Sequence, residues 1–139
     1  MTTIALRTIN HVAIPIRDRR STLPFYRRDL LGLQIVPHMI DSDQIIWAQT
    51  ADASMIHLVE PRDGALVEPH YAFEVIDFEA ALKSLKDRGI EIEGPRVRHN
   101  GQRNMFVRDP DGNRIELATY GQPGAHGRVV DEWGYTTQQ

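Results

Sequence analysis

The sequence predicts an α+β protein in which a βαβββ unit occurs twice. Two observations support this fold class. Stretches rich in β-branched residues follow one another in the same order in both halves, and each half contains one helical segment. Chemically related residues also recur at matched spacings in the two halves. We expect a single domain over residues 1–139, with module one at about 9–60, module two at about 70–119 and a C-terminal tail at 120–139.

The first module is predicted to contain one helix among four strands. Asp18 or Ser21 can cap a helix that runs to Leu30, with Pro24 in its first turn and Gly32 at its end. The four strands are predicted at residues 9–16, 33–36, 44–49 and 54–59. Residues 61–64, Pro-Arg-Asp-Gly, have the composition of a turn or linker.

The second module repeats this order. Asp77 can cap a helix over residues 78–88, and Gly89 provides the helix stop. Strands are predicted at residues 71–76, from 90–92 onward, at 104–108 and at 113–119. The sequence Asp-Pro-Asp-Gly at 109–112 predicts a tight turn between the last two strands. The tail from residue 121 onward contains four Gly and one Pro, and no element is predicted there.

The repeat is clearest in the residues that could carry chemistry. His11 and His57 are 46 residues apart, and so are His70 and Glu116. Superposing the halves on these pairs also matches two helix caps and two aromatic residues, namely Asp18 with Asp77 and Trp47 with Phe106. Agreement of several independent spacings is much less expected by chance than agreement of one, so the two halves are predicted to fold alike.

Strand alternation predicts that the two pairs lie on one face of the sheet. Each of the four side chains lies opposite apolar residues that should pack against a helix, so two related modules would gather them on one concave surface. Three imidazoles and one carboxylate suit a divalent ion such as Fe, Mn, Co, Ni or Zn and leave positions open for substrate. The other histidines are assigned elsewhere: His38 and His126 to the surface, and His99 to a polar loop that could cover a pocket.

Composition excludes several classes of protein. The chain has no Cys, which excludes disulfides, Cys-ligated zinc, iron–sulfur clusters and Cys nucleophiles. Its 16 basic and 19 acidic residues give a net charge of −3, so neither nucleic acid nor an anionic membrane is expected as a partner. No apolar run approaches the roughly 20 residues of a membrane span, and we expect a cytoplasmic protein.

Several motifs resemble those of the vicinal oxygen chelate superfamily, which includes glyoxalase I, extradiol dioxygenases, methylmalonyl-CoA epimerase and fosfomycin resistance proteins. The motifs are Asn-His-Val-Ala-Ile at 10–14, Pro-Phe-Tyr at 24–26, Leu-Leu-Gly-Leu at 30–33 and Asp-Pro-Asp-Gly-Asn-Arg-Ile-Glu-Leu at 109–117. The resemblance covers roughly residues 9–119, and the last motif is the most specific. None of these motifs is specific for one reaction.

The resemblance implies a fold, a ligand set and a pocket. Two βαβββ modules would form a cupped, incomplete β-barrel around a metal, and each module would supply one ligand from its first strand and one from its fourth. These positions hold His11, His57, His70 and Glu116, and three-ligand members keep the equivalents of all but His57. Trp47 and Phe106 would line the pocket, or else pack as core aromatic residues.

The function implied is that of a metal-dependent enzyme on a small oxygenated substrate, of the lyase or isomerase type. The metal would chelate adjacent substrate oxygens and stabilise an enediolate-like oxyanion. Glu116 or His57 would move the proton, with Glu74 and His99 as further acid–base or pocket candidates; Glu74 could instead form a surface ion pair. The alternatives are an Fe(II) extradiol-type dioxygenase and a metal-free protein that binds a drug or toxin. A homodimer is expected because pairing would cover exposed sheet edges.

Five positions depart from the motifs of particular family members and bear on which of their reactions this chain could share. Glyoxalase I proteins hold glutathione with an Arg and an Asn at the positions of Pro15 and Pro61, so a glutathione adduct gripped in the usual way is disfavoured. Fosfomycin thiol transferases carry a Thr and an Arg at the positions of Ala13 and Ala125. The epimerase would require a first-module carboxylate, whereas this chain has His57.

Overall fold

The computed structural model describes residues 3–37, 43–62, 67–98, 101–119 and 129–137. It confirms the predicted order of one helix among four strands in each half. The first half contains β1 (Leu6–Pro15), α1 (Arg19–Pro24), a π-helical segment (Phe25–Asp29), β2 (Gln34–Ile35), β3 (Ile45–Gln49) and β4 (Met55–Val59). The second half contains β5 (His70–Val75), α2 (Phe78–Asp87), β6 (Glu93–Val97), β7 (Arg103–Arg108) and β8 (Arg114–Ala118).

The eight strands form a mixed sheet in the order β2-β3-β4-β1-β5-β8-β7-β6. Strands β2 and β6 are its edges, so the sheet is not a closed barrel, in agreement with the expected incomplete one. The chain divides into two compact units, here named the α1 unit (residues 11–69 and 122–139) and the α2 unit (residues 1–10 and 70–121). Within the described ranges, no helix has the length and apolar character needed to cross a bilayer.

In the α1 unit, β4 is the central strand. It pairs in parallel with β1 and antiparallel with β3, and β3 pairs antiparallel with β2. One face of these strands packs against α1 through a buried apolar cluster of Ile16, Leu23, Ile46 and Leu58. The opposite face is therefore the one left for polar groups.

The helix of the α1 unit begins as predicted but changes its hydrogen bonding at Pro24. Asp18 is the N-cap, since its carboxylate accepts a hydrogen bond from the Arg20 amide at 2.9 Å. Pro24 is therefore the sixth helical residue, and its predicted place in the first turn is wrong. Proline lacks the N–H that an α-helix needs there, and the next segment is π-helical, with the Leu30 amide bonded to the Phe25 carbonyl at 3.2 Å.

The end of the chain has local structure that the sequence did not predict. Val130 and Thr136 form an antiparallel bridge around a turn. The carboxylate of Asp131 accepts hydrogen bonds from the amides of Trp133 at 2.8 Å and Tyr135 at 3.0 Å. Trp133 packs against the apolar cluster of the α1 unit. Residues 129–137 are thus part of the packed structure of this unit.

We expect Gly134→Ala to destabilise the protein by about 1–3 kcal/mol. Gly134 has φ +80°, and a Cβ there would lie 3.0 Å from Cγ2 of Ile46. Gly112→Ala is the matched control, because its φ is +88° but its Cβ would meet nothing within 4 Å. Urea unfolding gives the loss of stability in each variant. The difference between the two losses is the contribution of the steric contact with Ile46, since both variants share the strain of a positive φ. Equal losses of stability would show that residues 129–137 do not pack on Ile46 in solution.

In the α2 unit, β8 is the central strand. It pairs in parallel with β5 and antiparallel with β7, which pairs antiparallel with β6. Helix α2 begins after Asp77, whose carboxylate caps the Ala80 amide at 3.0 Å, and Gly89 follows with φ +69°. The buried side of the helix packs on the sheet through a cluster of Val75, Phe78, Ala81, Leu82, Leu85, Met105 and Leu117.

The predicted strand start at residues 90–92 is wrong. β6 begins at Glu93, which pairs with Phe106, and a register shift follows between Glu93 and Arg96. Ile92 packs against the apolar cluster of the α2 unit and lies outside the strand. Ile92 is apolar because it packs against this cluster. An alternating pattern alone cannot distinguish such a residue from one that belongs to a strand.

The turn at 109–112 joins β7 to β8 and is confirmed. The Gly112 amide bonds to the Asp109 carbonyl at 3.0 Å, and the Asp109 carboxylate accepts from the amides of Asp111 at 2.9 Å and Asn113 at 2.8 Å. The Asn113 side chain donates a further bond to Asp109 at 2.8 Å. These bonds, with the Asn113 side chain contributing most, lower the pKa of Asp109 below its ordinary value of 3.8.

We expect the stabilising effect of Asp109 to depend on pH. Because its pKa is lowered by folding, the contribution is present above pH 3.8 and is lost as the pH falls through the folded value. Wild type should therefore have a higher thermal midpoint than Asp109→Asn near neutral pH, and the gap should shrink in acid. Asp111→Asn is the control in the same turn, because the Asp111 carboxylate accepts none of these bonds. A gap independent of pH would contradict this role.

Candidate functional site

His70 and Glu116 come together in the α2 unit. His70 is the first residue of β5, and Glu116 lies in the middle of β8, where it pairs with Ala72. Nε2 of His70 lies 3.4 Å from Oε1 of Glu116, and Glu116 is only 1% exposed. Because Leu117 and Val75 point into the cluster under α2, the alternating His70 and Glu116 occupy the other face, as predicted.

Phe106 lies beside this pair. It is directly opposite Glu116 on β7, and its ring meets the His70 ring edge-on, with centroids 5.3 Å apart. The Arg114 guanidinium lies over the Phe106 ring at 3.7 Å and is ion-paired with Glu93 at 2.9 Å. Phe106 and Arg114 also line a cavity of about 470 Å³ at the start of β6. Phe106 therefore contacts the His70 ring and also lines a space of small-molecule size.

His11 and His57 come together in the α1 unit. Ala13 of β1 pairs with His57 of β4, and His57 pairs with Trp47 of β3, so these residues and His11 share one face. The His57 ring is stacked between two others: the His11 ring at 3.9 Å between centroids, and the Trp47 ring at 4.4 Å. All three rings are buried. The Trp47 Nε1 is a buried donor without an acceptor among the described residues.

The two units use the same register, which confirms the repeat in structural terms. His57 pairs with the residue two after His11, and Glu116 pairs with the residue two after His70. The predicted aromatic equivalence also holds, because Trp47 and Phe106 lie directly opposite His57 and Glu116 respectively. The side chains differ: Trp47 stacks on the fourth-strand residue, whereas Phe106 contacts the first-strand histidine.

One set of side chains in the described ranges has the spacing of metal ligands, and it consists of His11, His70 and Glu116. Each offers one ligand atom, and these atoms lie within 4.8 Å of one another. Two imidazole nitrogens and a carboxylate oxygen are donors suited to a divalent transition metal. His57 is not in this set.

The orientation of the His57 ring explains why His57 does not belong to the set of His11, His70 and Glu116. An imidazole binds a metal along a lone pair in the plane of its ring. The rings of His11 and His57 are inclined by only 19° with centroids 3.9 Å apart. Two nearly parallel planes at that separation cannot both contain one nearby ion, so in this arrangement His11 and His57 do not share a metal.

The remaining predicted pocket residues have different outcomes. Glu74 is buried at 3% exposure, and its Oε2 lies 2.7 Å from Nε of the exposed Arg7. Glu74 is therefore ion-paired, which agrees with the alternative that it forms an ion pair at the surface. Only Arg7 is exposed, however, and Glu74 itself is buried. His99 lies outside the described residues, as do His38 and His126.

Asn104 is a buried polar residue that the sequence analysis did not select. It lies on β7 two residues before Phe106 and therefore shares its face. It is 3% exposed, and its Oδ1 has no hydrogen-bond partner in the described part of the chain. The sequence contained a signal for Asn104, because a polar residue on the same side of a strand as the candidate site residues suggests a functional role when the opposite side is apolar.

Comparisons with known proteins agree with this architecture. The model of the Glyoxalase/Bleomycin resistance protein/Dioxygenase superfamily matches residues 8–117. Glyoxalase domain-containing protein RDO1 of Mycosarcoma maydis is 30% identical over 130 residues, which are 84% of this chain and 70% of that protein. Metallothiol transferase FosB of Staphylococcus saprophyticus is 26% identical over 122 residues, with coverages of 82% and 78%. The crystal structure of methylmalonyl-CoA epimerase from Mycobacterium tuberculosis is 25% identical with a TM-score of 0.67, covering 88% of this chain and 93% of that one.

Proposed function

Because the chain belongs to the glyoxalase/bleomycin resistance protein/dioxygenase superfamily, we propose that it is a metal-dependent enzyme that acts on a small substrate with vicinal oxygens. The observation that carries the proposal is the set of His11, His70 and Glu116, which combines repeat-related positions with the spacing of metal ligands. Two of the similar proteins, the metallothiol transferase and the epimerase, are enzymes. We place the reaction in the lyase or isomerase class.

The proposed ligands are Nε2 or Nδ1 of the two histidines and a carboxylate oxygen of Glu116. When bound, the metal would act as a Lewis acid on two adjacent substrate oxygens and stabilise an enediolate-like oxyanion. His57 is available for proton transfer at an imidazole nitrogen, since stacking on His11 removes it from the ligand set. Glu116 is the second candidate for this role, if its carboxylate leaves the metal.

Two aromatic residues support a pocket beside this set. The proposed roles of Trp47 and Phe106 are to exclude water and to contact the substrate, since both lie opposite site residues. The unpartnered Trp47 Nε1 offers a donor to a substrate oxygen. Pro15 and Pro61 cannot supply the Arg and Asn side chains expected for glutathione, so the proposed substrate is not a glutathione adduct gripped in that way.

A second candidate is an Fe(II) extradiol-type dioxygenase. Two histidines and one carboxylate with open positions are the ligand set of non-haem Fe(II) oxygenases, and His11, His70 and Glu116 match it. Oxygen uptake by the anaerobically iron-loaded protein with a panel of catechols separates this reaction from an isomerase or lyase, which consumes no oxygen. A metal-free drug- or toxin-binding protein is the third possibility, and the presence of all three ligand-type residues counts against it.

Metal analysis tests the proposal directly. The protein is purified without a His tag and reconstituted separately with Fe, Mn, Co, Ni and Zn, and bound metal is measured after gel filtration. We expect about one ion per chain for at least one of them. Less than about 0.1 ion per chain for every metal would refute the metal-dependent function. Tight antibiotic binding by the metal-free protein, unchanged in His70→Ala, would instead favour the third possibility.

We also expect a homodimer and a cytoplasmic location. Strands β2 and β6 are the edges of the sheet and pair with no further strand among the described residues, so pairing of two chains would cover them. Sedimentation velocity at micromolar concentration should give the mass of two chains. A monomer across that range would contradict the expectation.

A further inference from the structure

A row of polar side chains crosses the α2 unit near Glu116. Ala118 of β8 pairs with Glu74 of β5 on one side and with Asn104 of β7 on the other. Because side chains alternate with a period of two, these three residues lie on the same face as Glu116. At about 3.3 Å per residue, the row is displaced from Glu116 by roughly 6–7 Å along the strands.

Both polar members of the row have a buried oxygen that accepts no hydrogen bond from the described residues, but only Oδ1 of Asn104 is without a charged partner, because Arg7 is ion-paired with Oε2 of Glu74. Glu74 and Asn104 are each 3% exposed, and neither Oε2 of Glu74 nor Oδ1 of Asn104 accepts a hydrogen bond from the residues that the structure describes. Ala118, between them, is fully buried and contributes only a methyl group. Buried acceptors in this state are normally satisfied by protein, water or ligand, so the row is suited to receive a donor.

The charge of the row is already balanced. Nε of Arg7 lies 2.7 Å from Oε2 of Glu74, close enough to neutralise it but without the geometry of a hydrogen bond. The Arg7 side chain is 61% exposed, whereas that of Glu74 is 4% exposed. Because Arg7 already serves as the counter-ion of Glu74, a neutral donor fits the row better than a second cation does.

We propose that Asn104, beside the Glu74–Arg7 ion pair, forms a subsite for a hydroxyl group of the substrate, which would donate its single hydrogen to Oδ1 of Asn104. The proposal rests on the proposed metal site, which would hold the other end of the molecule. A substrate that chelates the metal through two vicinal oxygens and carries a hydroxyl two carbons further on would reach both sites. The substrate class is therefore that of hydroxylated 2-hydroxy or 2-oxo acids.

A matched pair of ligands tests the subsite. Calorimetry of the Mn(II)-loaded protein compares 2,4-dihydroxybutyrate with 2-hydroxybutyrate, which lacks only the distal hydroxyl. Wild type should bind the dihydroxy acid at least about tenfold more tightly. Asn104→Leu should reduce this preference below about threefold, because the acceptor of the distal hydroxyl is lost. No preference in wild type, or an intact preference in Asn104→Leu, would overturn the proposal.

A second measurement separates this proposal from the proposed metal site. Since Oδ1 of Asn104 has no partner, an apolar side chain of similar volume should leave the thermal midpoint of the metal-free protein equal or higher. A fall of more than about 5 °C in Asn104→Leu would show a structural role and overturn the subsite. If neither acid binds the Mn(II)-loaded protein, the subsite is overturned, whereas the metal site is decided separately by the metal content of the reconstituted protein.

Discussion

His70→Ala is expected to lower the affinity for the activating metal by at least about 100-fold. Loss of a residue that only supports a ligand costs about 10–100-fold, and loss of a ligand costs more. Glu116→Ala should have a similar effect, because Glu116 lies 3.4 Å from His70 and belongs to the same set. Competition with a chromogenic chelator measures the metal affinity of each variant.

His57→Ala is the informative control for this experiment. Its ring is stacked on His11 and is not in the ligand set, so we expect metal affinity within about tenfold of wild type but strongly reduced turnover. A loss of affinity as large as that of His70→Ala would show that His57 is a fourth ligand and that its ring reorients when the metal binds. Retention of metal by His70→Ala would contradict the proposed site itself.

Arg19→Met is expected to destabilise the protein by about 3–5 kcal/mol, which lowers the thermal midpoint by about 10 °C. Arg19 is 1% exposed, and its Nε is 2.9 Å from Glu60. It also donates to the carbonyls of Asp43 and Trp133, and its guanidinium lies 4.0 Å from the Tyr135 ring centroid. Its replacement removes the guanidinium donor from Oε1 of Glu60 and from two carbonyls, and leaves the Glu60 charge without this cation, although the backbone amide of residue 19 still donates to Oε2 of Glu60.

Two further variants test this interpretation. Arg19→Met/Glu60→Gln should be more stable than Arg19→Met alone, because the uncompensated charge is removed while the Arg19 amide, now 2.6 Å from Glu60, keeps an acceptor. Lys83→Met removes the cation of an exposed ion pair with Asp87 and should change stability by less than about 1 kcal/mol. Equal effects of Arg19→Met and Lys83→Met would mean that burial of Arg19 does not matter.

The repeated spacing predicted much of the candidate site. Two pairs separated by 46 residues correctly implied that His57 and Glu116 occupy equivalent registers opposite the strands of His11 and His70. The face of each side chain followed from strand alternation. Both properties depend on the backbone and on residue spacing, which can be read from the sequence.

Other features depend on contacts between distant residues. Arg19 stands in a charged run, Arg-Asp-Arg-Arg at 17–20, that is typical of an exposed turn, yet Glu60 and residues 129–137 enclose it. The change to π-helical bonding after Pro24 depended on where the helix begins, because Asp18 and Ser21 were both plausible caps. The structure of the tail depended on its packing against Ile46 and the rest of that cluster.

The sequence by itself determined the doubled βαβββ order, the nitrogen and oxygen character of the proposed ligands and the face of the strands on which they lie. Only the tertiary structure decided which candidates can act together. The His57 ring is stacked on His11 and lies outside the proposed ligand set, and Asn104 is buried with an oxygen that has no partner among the described residues. The physical reason is that spacing fixes a side chain's strand and face, whereas its orientation and solvation depend on neighbours that are remote in sequence.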